Sequence, residues 1–326
     1  MATFALPLTT HPMEAKTAET LPVEGGPWQY EPKWDGFRCL VFKEGGAVEL
    51  RAKSGKPLGR YFPEVVAFFR ALEAARFVVD GELMIASAGF GALQMRLHPA
   101  ESRIRKLAVE TPAAVTLFDM LAGTDGEKML RKPLEERRAA LEAFAAGYGL
   151  NLSPVTRKVD VAKKWLAKAG SNMDGVVAKR LSAPYSPGER TMIKVKRLRT
   201  ADCVVGGFRY LARRREVGSL LLGLYDDAGR LDHVGFTATI ADEERPRLTA
   251  RLEAMRAPPG FTGRAPGGPS RWATERSGEW EPVRAELVVE VRFDHVTDER
   301  FRHGTKLLRW RPDKAPEQCG MEQIRA

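Results

Sequence analysis

The octapeptide "EPKWDGFR" (31–38) sets a lysine between an acidic flank and an Asp-Gly turn, with an arginine five positions on. An amine in that company is either ordinary solvent-facing charge or a nucleophile. Lysine acts as a covalent catalyst only as the free amine, yet its unperturbed pKa is about 10.4. Deprotonation therefore needs help from neighbouring cations or from partial desolvation. Lys33 finds that help if the fold brings Arg38, Lys194 and Lys196 round to it. "MIKVKR" alternates Lys194 and Lys196 with apolar Ile193 and Val195. As a strand it sends both ammonium groups to one face, where two like charges need an anion.

Other residues invite the same question. "VVDGELM" puts Glu82 after a glycine on an apolar strand, where a carboxylate has no packing role. It could accept hydrogen bonds from a ribose or help hold a metal. "TLFDML" places Phe118 and Asp119 in a buried strand, and Phe118 alone reads as plain core. "DGVVAKR" gives Asp174 before a glycine, then an apolar pair, then Lys179.

The elements that must position these groups follow from periodicity. "FRCLVFK" (37–43), "FVVDGELMIA" (77–86), "AAVTLFDML" (113–121) and "DGVVAKR" (174–180) read as strands, short and rich in β-branched and aromatic residues. "YFPEVVAFFRALEAA" (61–75), "PLEERRAALEAFAAGYG" (133–149) and "VDVAKKWLAKAG" (159–170) carry apolar residues at helical spacing. Interleaved in this way they predict an α+β domain with antiparallel sheets over 1–198.

After residue 198 the texture changes. Strand-like runs at 202–211, 218–227 and 231–240 precede a helix at 241–255 and a Pro/Gly-rich loop at 257–270. Two more strands follow at 285–294 and 305–311. Three strands, a helix and two strands is the order of an OB-fold, a small partly open barrel that often handles nucleic acid, although another small β-barrel would share it.

Composition bounds the partners. The 326 residues suffice for two domains, and 44% apolar with 29% charged residues is globular composition. No apolar run approaches the ~18 residues of a membrane span, and the N-terminus lacks a signal-peptide pattern. Cys39, Cys203 and Cys319 lie too far apart for a C-x-x-C pair, which fits a reducing cytosol and a cytoplasmic protein. The net charge of +10 favours a polyanionic partner. It is clustered: 190–215 holds nine basic residues against one acidic, and "MRLHPAESRIRK" (95–106) is also mostly basic.

In their order these segments resemble the bacterial ATP-dependent DNA ligases of the covalent nucleotidyltransferase superfamily. Motif I matches at Lys33 to Arg38, motif III at Asp80-Gly81-Glu82 and motif IIIa at Phe118-Asp119. Motif IV matches at Asp174 to Val177, motif V at Lys194-Val195-Lys196, and "RWRPDK", with Arg309, Arg311, Asp313 and Lys314, resembles motif VI. Within the family the likeness is to the compact stand-alone type called ligase C and to the ligase module of ligase D.

The resemblance implies a nucleotidyltransferase (adenylation) domain over 1–198 and an OB-fold β-barrel over 199–326. It implies that Lys33 attacks the ATP α-phosphorus to form lysyl-AMP, that AMP passes to a DNA 5′-phosphate, and that the neighbouring 3′-OH displaces it to seal the nick. Glu31 is expected beside the adenine edge and Phe118 stacked on the base, with Arg38, Arg51 and Glu82 holding the ribose or flanking groups. Lys194 and Lys196 neutralise phosphate charge as it develops. Asp174, with Glu82, is expected to position a hard divalent ion, Mg²⁺ or Mn²⁺. Arg311 and Lys314 are expected to reach the outgoing pyrophosphate. The family usually carries Glu at the position of Asp174, a side chain one methylene longer.

Absences narrow the expectation. Three scattered cysteines cannot build the four-cysteine zinc module of NAD-dependent ligases, which points to ATP. No polymerase, nuclease or extra N-terminal DNA-binding domain accompanies the motifs. That absence predicts a weak grip on nicked double-stranded DNA, helped in repair by a repair polymerase or another repair protein, and a monomer is the default expectation for this class. The rivals are an RNA ligase, a capping-type guanylyltransferase using GTP, and a non-catalytic DNA-binding module.

Overall fold

Alternation along one segment builds two cores at once. In Phe37–Glu44, Cys39 and Val41 enter one hydrophobic cluster while Leu40 and Phe42 enter another on the opposite face. The computed structural model describes residues 3–170, 172–267 and 279–325. Its contacts separate into two units, Met1–Arg197 and Leu198–Ala326.

The first unit contains β1 (Glu14–Thr17), β2 (Trp28–Trp34), β3 (Phe37–Glu44), β4 (Ala47–Ala52), β5 (Arg76–Met84), β6 (Ala114–Ala122), β7 (Met173–Arg180) and β8 (Arg190–Lys196). They form two four-stranded sheets, β4-β3-β5-β6 and β1-β8-β7-β2. Every pairing is antiparallel except β1 with β8, which is parallel and departs from the expected pattern. The helices are α1 (Pro63–Ala71), α2 (Gly89–Arg96), α3 (Glu101–Glu110), α4 (Leu134–Tyr148) and α5 (Val159–Ala167).

One face of the β3-containing sheet packs against α1 and α4 through Val65, Phe69, Leu141 and Phe144. Its other face meets the second sheet across Leu40, Phe42, Val78, Leu121 and Met192. Beyond the second sheet, α5 covers Trp28, Tyr30 and Val176. A buried ion pair, Arg137 Nε to Asp119 Oδ1 at 2.8 Å, ties α4 to β6, so motif IIIa's aspartate is a structural anchor.

The second unit has β9 (Arg199–Leu211), β10 (Arg214–Tyr225), β11 (Leu231–Thr237), β12 (Glu281–Pro282), β13 (Val288–Phe293), β14 (Val296–Thr297), β15 (Arg300–Phe301) and β16 (Lys306–Trp310), with α6 (Arg245–Ala254) and α7 (Glu322–Arg325). The sheet runs β11-β10-β9-β13-β16, with β12 also on β9. The element order expected of an OB-fold is present, but the barrel is not closed. Among the described residues its two edges meet at one parallel bridge, Thr237 to Thr305. The last three residues of the Pro/Gly-rich loop read at 257–270 lie outside the described residues.

Candidate active site

Strand alternation makes the site. Glu31 and Lys33, two apart on β2, both face a cavity of about 230 Å³, as do Val177 and Lys179 on β7 and Met192 and Lys194 on β8. Arg38 from β3, Glu82 from β5 and Phe118 from β6 complete the wall from the other sheet. The cavity therefore lies where the two sheets of the first unit meet.

Glycines set the spacing. A Cβ on Gly36, in the turn after Lys33, would lie 2.3 Å from the Leu83 carbonyl oxygen, and one on Gly175 would lie 2.1 Å from the Val195 oxygen. Only glycine permits these approaches. Gly36 N also donates to Glu82 Oε1 at 3.2 Å, joining the lysine's turn to the carboxylate.

Lys33 Nζ lies 2.8 Å from Asp174 Oδ1, and Lys196 Nζ lies 3.3 Å from Asp174 Oδ2. One nearly buried carboxylate thus bridges two motif lysines. Burial, then repulsion from Lys33, Lys196 and Lys53, lowers the affinity of Lys194 for its proton. Burial pushes Glu82 up to about 7 against the pull of Arg38 and Lys33. The site thus holds a carboxylate that changes charge near neutrality.

Arg38 is fixed from behind. Its Nε and Nη2 donate to the two oxygens of buried Asp80 at 2.6 and 2.5 Å, and Tyr185 Oη donates to Asp80 Oδ2 at 2.6 Å. The Arg38 guanidinium lies 4.5 Å from the Phe118 ring centroid and Lys179 Nζ lies 4.7 Å from it. Glu31 is 2% exposed and fully engaged, with Lys179 at 2.9 Å and the Gln29 amide at 2.8 Å.

The structure thus gathers Glu31, Lys33, Arg38, Glu82, Phe118 and Lys194 around one cavity, and joins Asp174 and Lys196 to it through Lys33. Arg51 is not in the cavity wall; it pairs with Glu49 at 3.1 Å, and Lys53, two residues on, lines the cavity instead. Arg311 and Lys314 belong to the second unit, where both grip Asp202, at 2.9 and 2.8 Å. Sequence reasoning assigned no role to Lys179, Asp80 or Tyr185. Lys179 had a signal, since it alternates with Val177. Tyr185 had none, because it meets Asp80 across 105 residues of chain.

The comparisons with known proteins agree with this geometry. Residues 10–196 match the ATP dependent DNA ligase domain, and residues 213–314 match the ATP dependent DNA ligase C terminal region. The chain is 42% identical to DNA ligase C1 of Mycolicibacterium smegmatis, over 96% of this chain and 93% of that protein. It is 41% identical to DNA ligase C of Mycobacterium tuberculosis over the same shares. A solved mycobacterial DNA ligase D complexed with ATP and MES is similar at a TM-score of 0.52 and 27% identity, covering 96% of this chain and 98% of that one. With the lysine, its carboxylates and its basic strand in one cavity, and both family regions matched in order, the chain belongs to the ATP-dependent DNA ligases.

Proposed function

We propose that Lys33 is the nucleophile that takes AMP from ATP and passes it to the 5′-phosphate of nicked duplex DNA in repair. The observation that carries this is the Lys33 amine at 2.8 Å from Asp174, in the cavity that also holds Glu31, Phe118 and Lys194. The lysine gives up a proton, for which Asp174 is the acceptor in reach. Nζ then forms its bond to the α-phosphorus as the bond to pyrophosphate breaks. Lys194 and Lys196 offset the charge that gathers on the phosphate oxygens.

Glu31, held by Lys179 and Gln29, presents a fixed carboxylate to the adenine edge, and Phe118 packs on the base. Asp80 keeps the Arg38 guanidinium in place beside the ribose. Arg51 is assigned to groups flanking the nucleotide, and Arg311 and Lys314 to the outgoing pyrophosphate.

The donors suit a hard cation. Among the described residues no three His, Cys, Asp or Glu side chains gather as a metal cage. Asp174 and Glu82 would instead hold Mg²⁺ or Mn²⁺ together with phosphate oxygens and water, and the ion would supply charge neutralisation on the phosphates. We further assign a monomer acting with a repair polymerase or other repair protein. Nick binding left unchanged by every such added protein would remove that last assignment.

Incubation with α-labelled ATP, GTP or NAD, followed by a denaturing gel, tests the reading. Label from ATP alone is expected on the wild type, discharged by nicked DNA and absent from Lys33→Ala. Retained label from GTP would identify a guanylyltransferase. No label on the wild type, after stripping bound AMP with pyrophosphate, would overturn the proposal.

A further inference from the structure

A closed cycle of hydrogen bonds stands behind one wall of the nucleotide cavity. Tyr185 is 2% exposed; its Oη donates to Asp80 Oδ2 at 2.6 Å and accepts the Met13 N–H at 3.0 Å. Asp80 also accepts from Arg38 Nε and Nη2, and Arg38 Nη2 donates onward to the Met13 carbonyl at 3.3 Å. The cycle therefore runs from the Met13 main chain through Tyr185, Asp80 and Arg38 and back to Met13.

The sequence stiffens both ends of this cycle. "APYSPG" (183–188) brackets Tyr185 with two prolines, which favour extended backbone at Ala183 and Ser186. Bonds to other parts of the unit pin that stretch: Tyr185 N donates to the Leu130 carbonyl at 2.8 Å, and Arg137 Nη1 to the Ala183 carbonyl at 3.0 Å. On the facing side Pro12 fixes φ just before Met13. Gly188 N donates to the Pro12 carbonyl at 3.3 Å, and Ser186 N to Met13 Sδ at 3.5 Å. Met13 is thus held at its N–H, its carbonyl and its sulfur.

What the cycle holds is the cavity itself. Pro12, Met13, Glu14 and Ala15 form one side of the wall, and Arg38 belongs to another. Without the phenol hydroxyl, the Met13 N–H and one Asp80 oxygen would lose their partner inside a buried network, where an unmade bond costs most. Lys33, Asp174 and Lys194 stand outside the cycle, so the bond-making groups would keep their places. We propose that Tyr185 is a positioning residue for ATP, holding segment 12–15 through Met13 and Arg38 through Asp80. It thereby fixes two sides of the nucleotide pocket against each other. The inference rests on this cavity being the place where Lys33 takes AMP from ATP.

Tyr185→Phe keeps the aromatic ring in the core and deletes only the hydroxyl. In single-turnover labelling by α-labelled ATP, the concentration giving half the maximal rate is expected to rise about tenfold, with the maximal rate unchanged. Hydrogen exchange supplies a second readout with its own control. The Met13 amide should exchange faster, while the Glu14 amide, which donates to the Glu189 carbonyl at 2.8 Å, stays protected. Added to Asp80→Asn, Tyr185→Phe should cost little more, because the cycle is already open there. An unchanged ATP requirement in Tyr185→Phe would overturn the proposal, and so would fully additive losses in the double variant. A fall in maximal rate with Glu14 deprotected as well would mark a merely structural tyrosine and overturn it too. A wild type that never takes label would instead overturn the assignment of Lys33.

Discussion

Two aspartates in this chain do the same local task in different surroundings. Asp174 bridges Lys33 and Lys196 in the first unit, and Asp202 bridges Arg311 and Lys314 in the second. Around Asp174 one of the two cations, Lys33, lies in a cavity wall with Lys194, and Glu82 in the same wall is pushed toward the neutral form. Around Asp202 the charge is matched more fully, since Arg311 also grips Asp313 at 2.8 Å and holds that carboxyl down at about 2. The first arrangement leaves positive charge for an incoming phosphate. The second keeps its cations engaged until something outcompetes Asp202.

Removing each aspartate should expose that difference. Asp174→Ala leaves two lysines without their shared partner, and single-turnover labelling should slow by about 10²–10³-fold, the usual size for loss of a preorganised charge. Asp174→Glu restores the carboxylate one methylene further out and should recover most of that rate. A full rate in Asp174→Ala would break the comparison, reducing Asp174 to a structural ion-pair partner.

Asp202→Ala should act more mildly and on one step only. It frees Lys314 and leaves Arg311 held by Asp313 alone, and about a tenfold slower adenylation is expected, equivalent to about 1.4 kcal/mol. Sealing of a nick that already carries AMP should stay at the wild-type rate. Equal losses in both steps would mean that Asp202 serves the unit's stability alone.

The smallest effect concerns Glu82. Its folded value of about 7 stands above the usual carboxylate value near 4.3, so the native state binds more protons than the unfolded chain between these limits. Its contribution therefore turns unfavourable as pH rises through that window and levels off above about 7. Glu82→Gln should raise Tm by a few degrees relative to wild type at pH 8, with the gain shrinking as pH falls and vanishing below about 4. A pH-independent difference would show that Glu82 keeps an ordinary carboxylate's behaviour.

Much of the site was legible in the sequence because its groups are spaced along strands. Lys33, Glu82, Phe118, Asp174 and Lys194 announce themselves by residue type on apolar runs and by their order. The supporting groups do not. Lys179 finds Glu31 across 148 residues and Tyr185 finds Asp80 across 105, pairings that register and packing decide. The fold was legible in a similar measure. Long periodic helices and buried strands were readable, whereas β12, β14 and β15, each two residues long, fall below any periodic signal. The parallel seat of β1 on β8 has no local signature either.

The close approaches at Gly36, Gly81 and Gly175 have a consequence for how this site can drift. At Gly81 a Cβ would lie 2.5 Å from a Val115 methyl and 2.7 Å from the Thr116 carbonyl oxygen. The strands that carry Lys33, Glu82 and Asp174 therefore approach at separations that a missing Cβ allows, against main-chain oxygens and, at Gly36 and Gly81, neighbouring side chains as well. Any side chain placed at one of these three positions would push the strands apart. The separation of Lys33 from Glu82 and Asp174 thus rests on three residues that carry no side chain of their own.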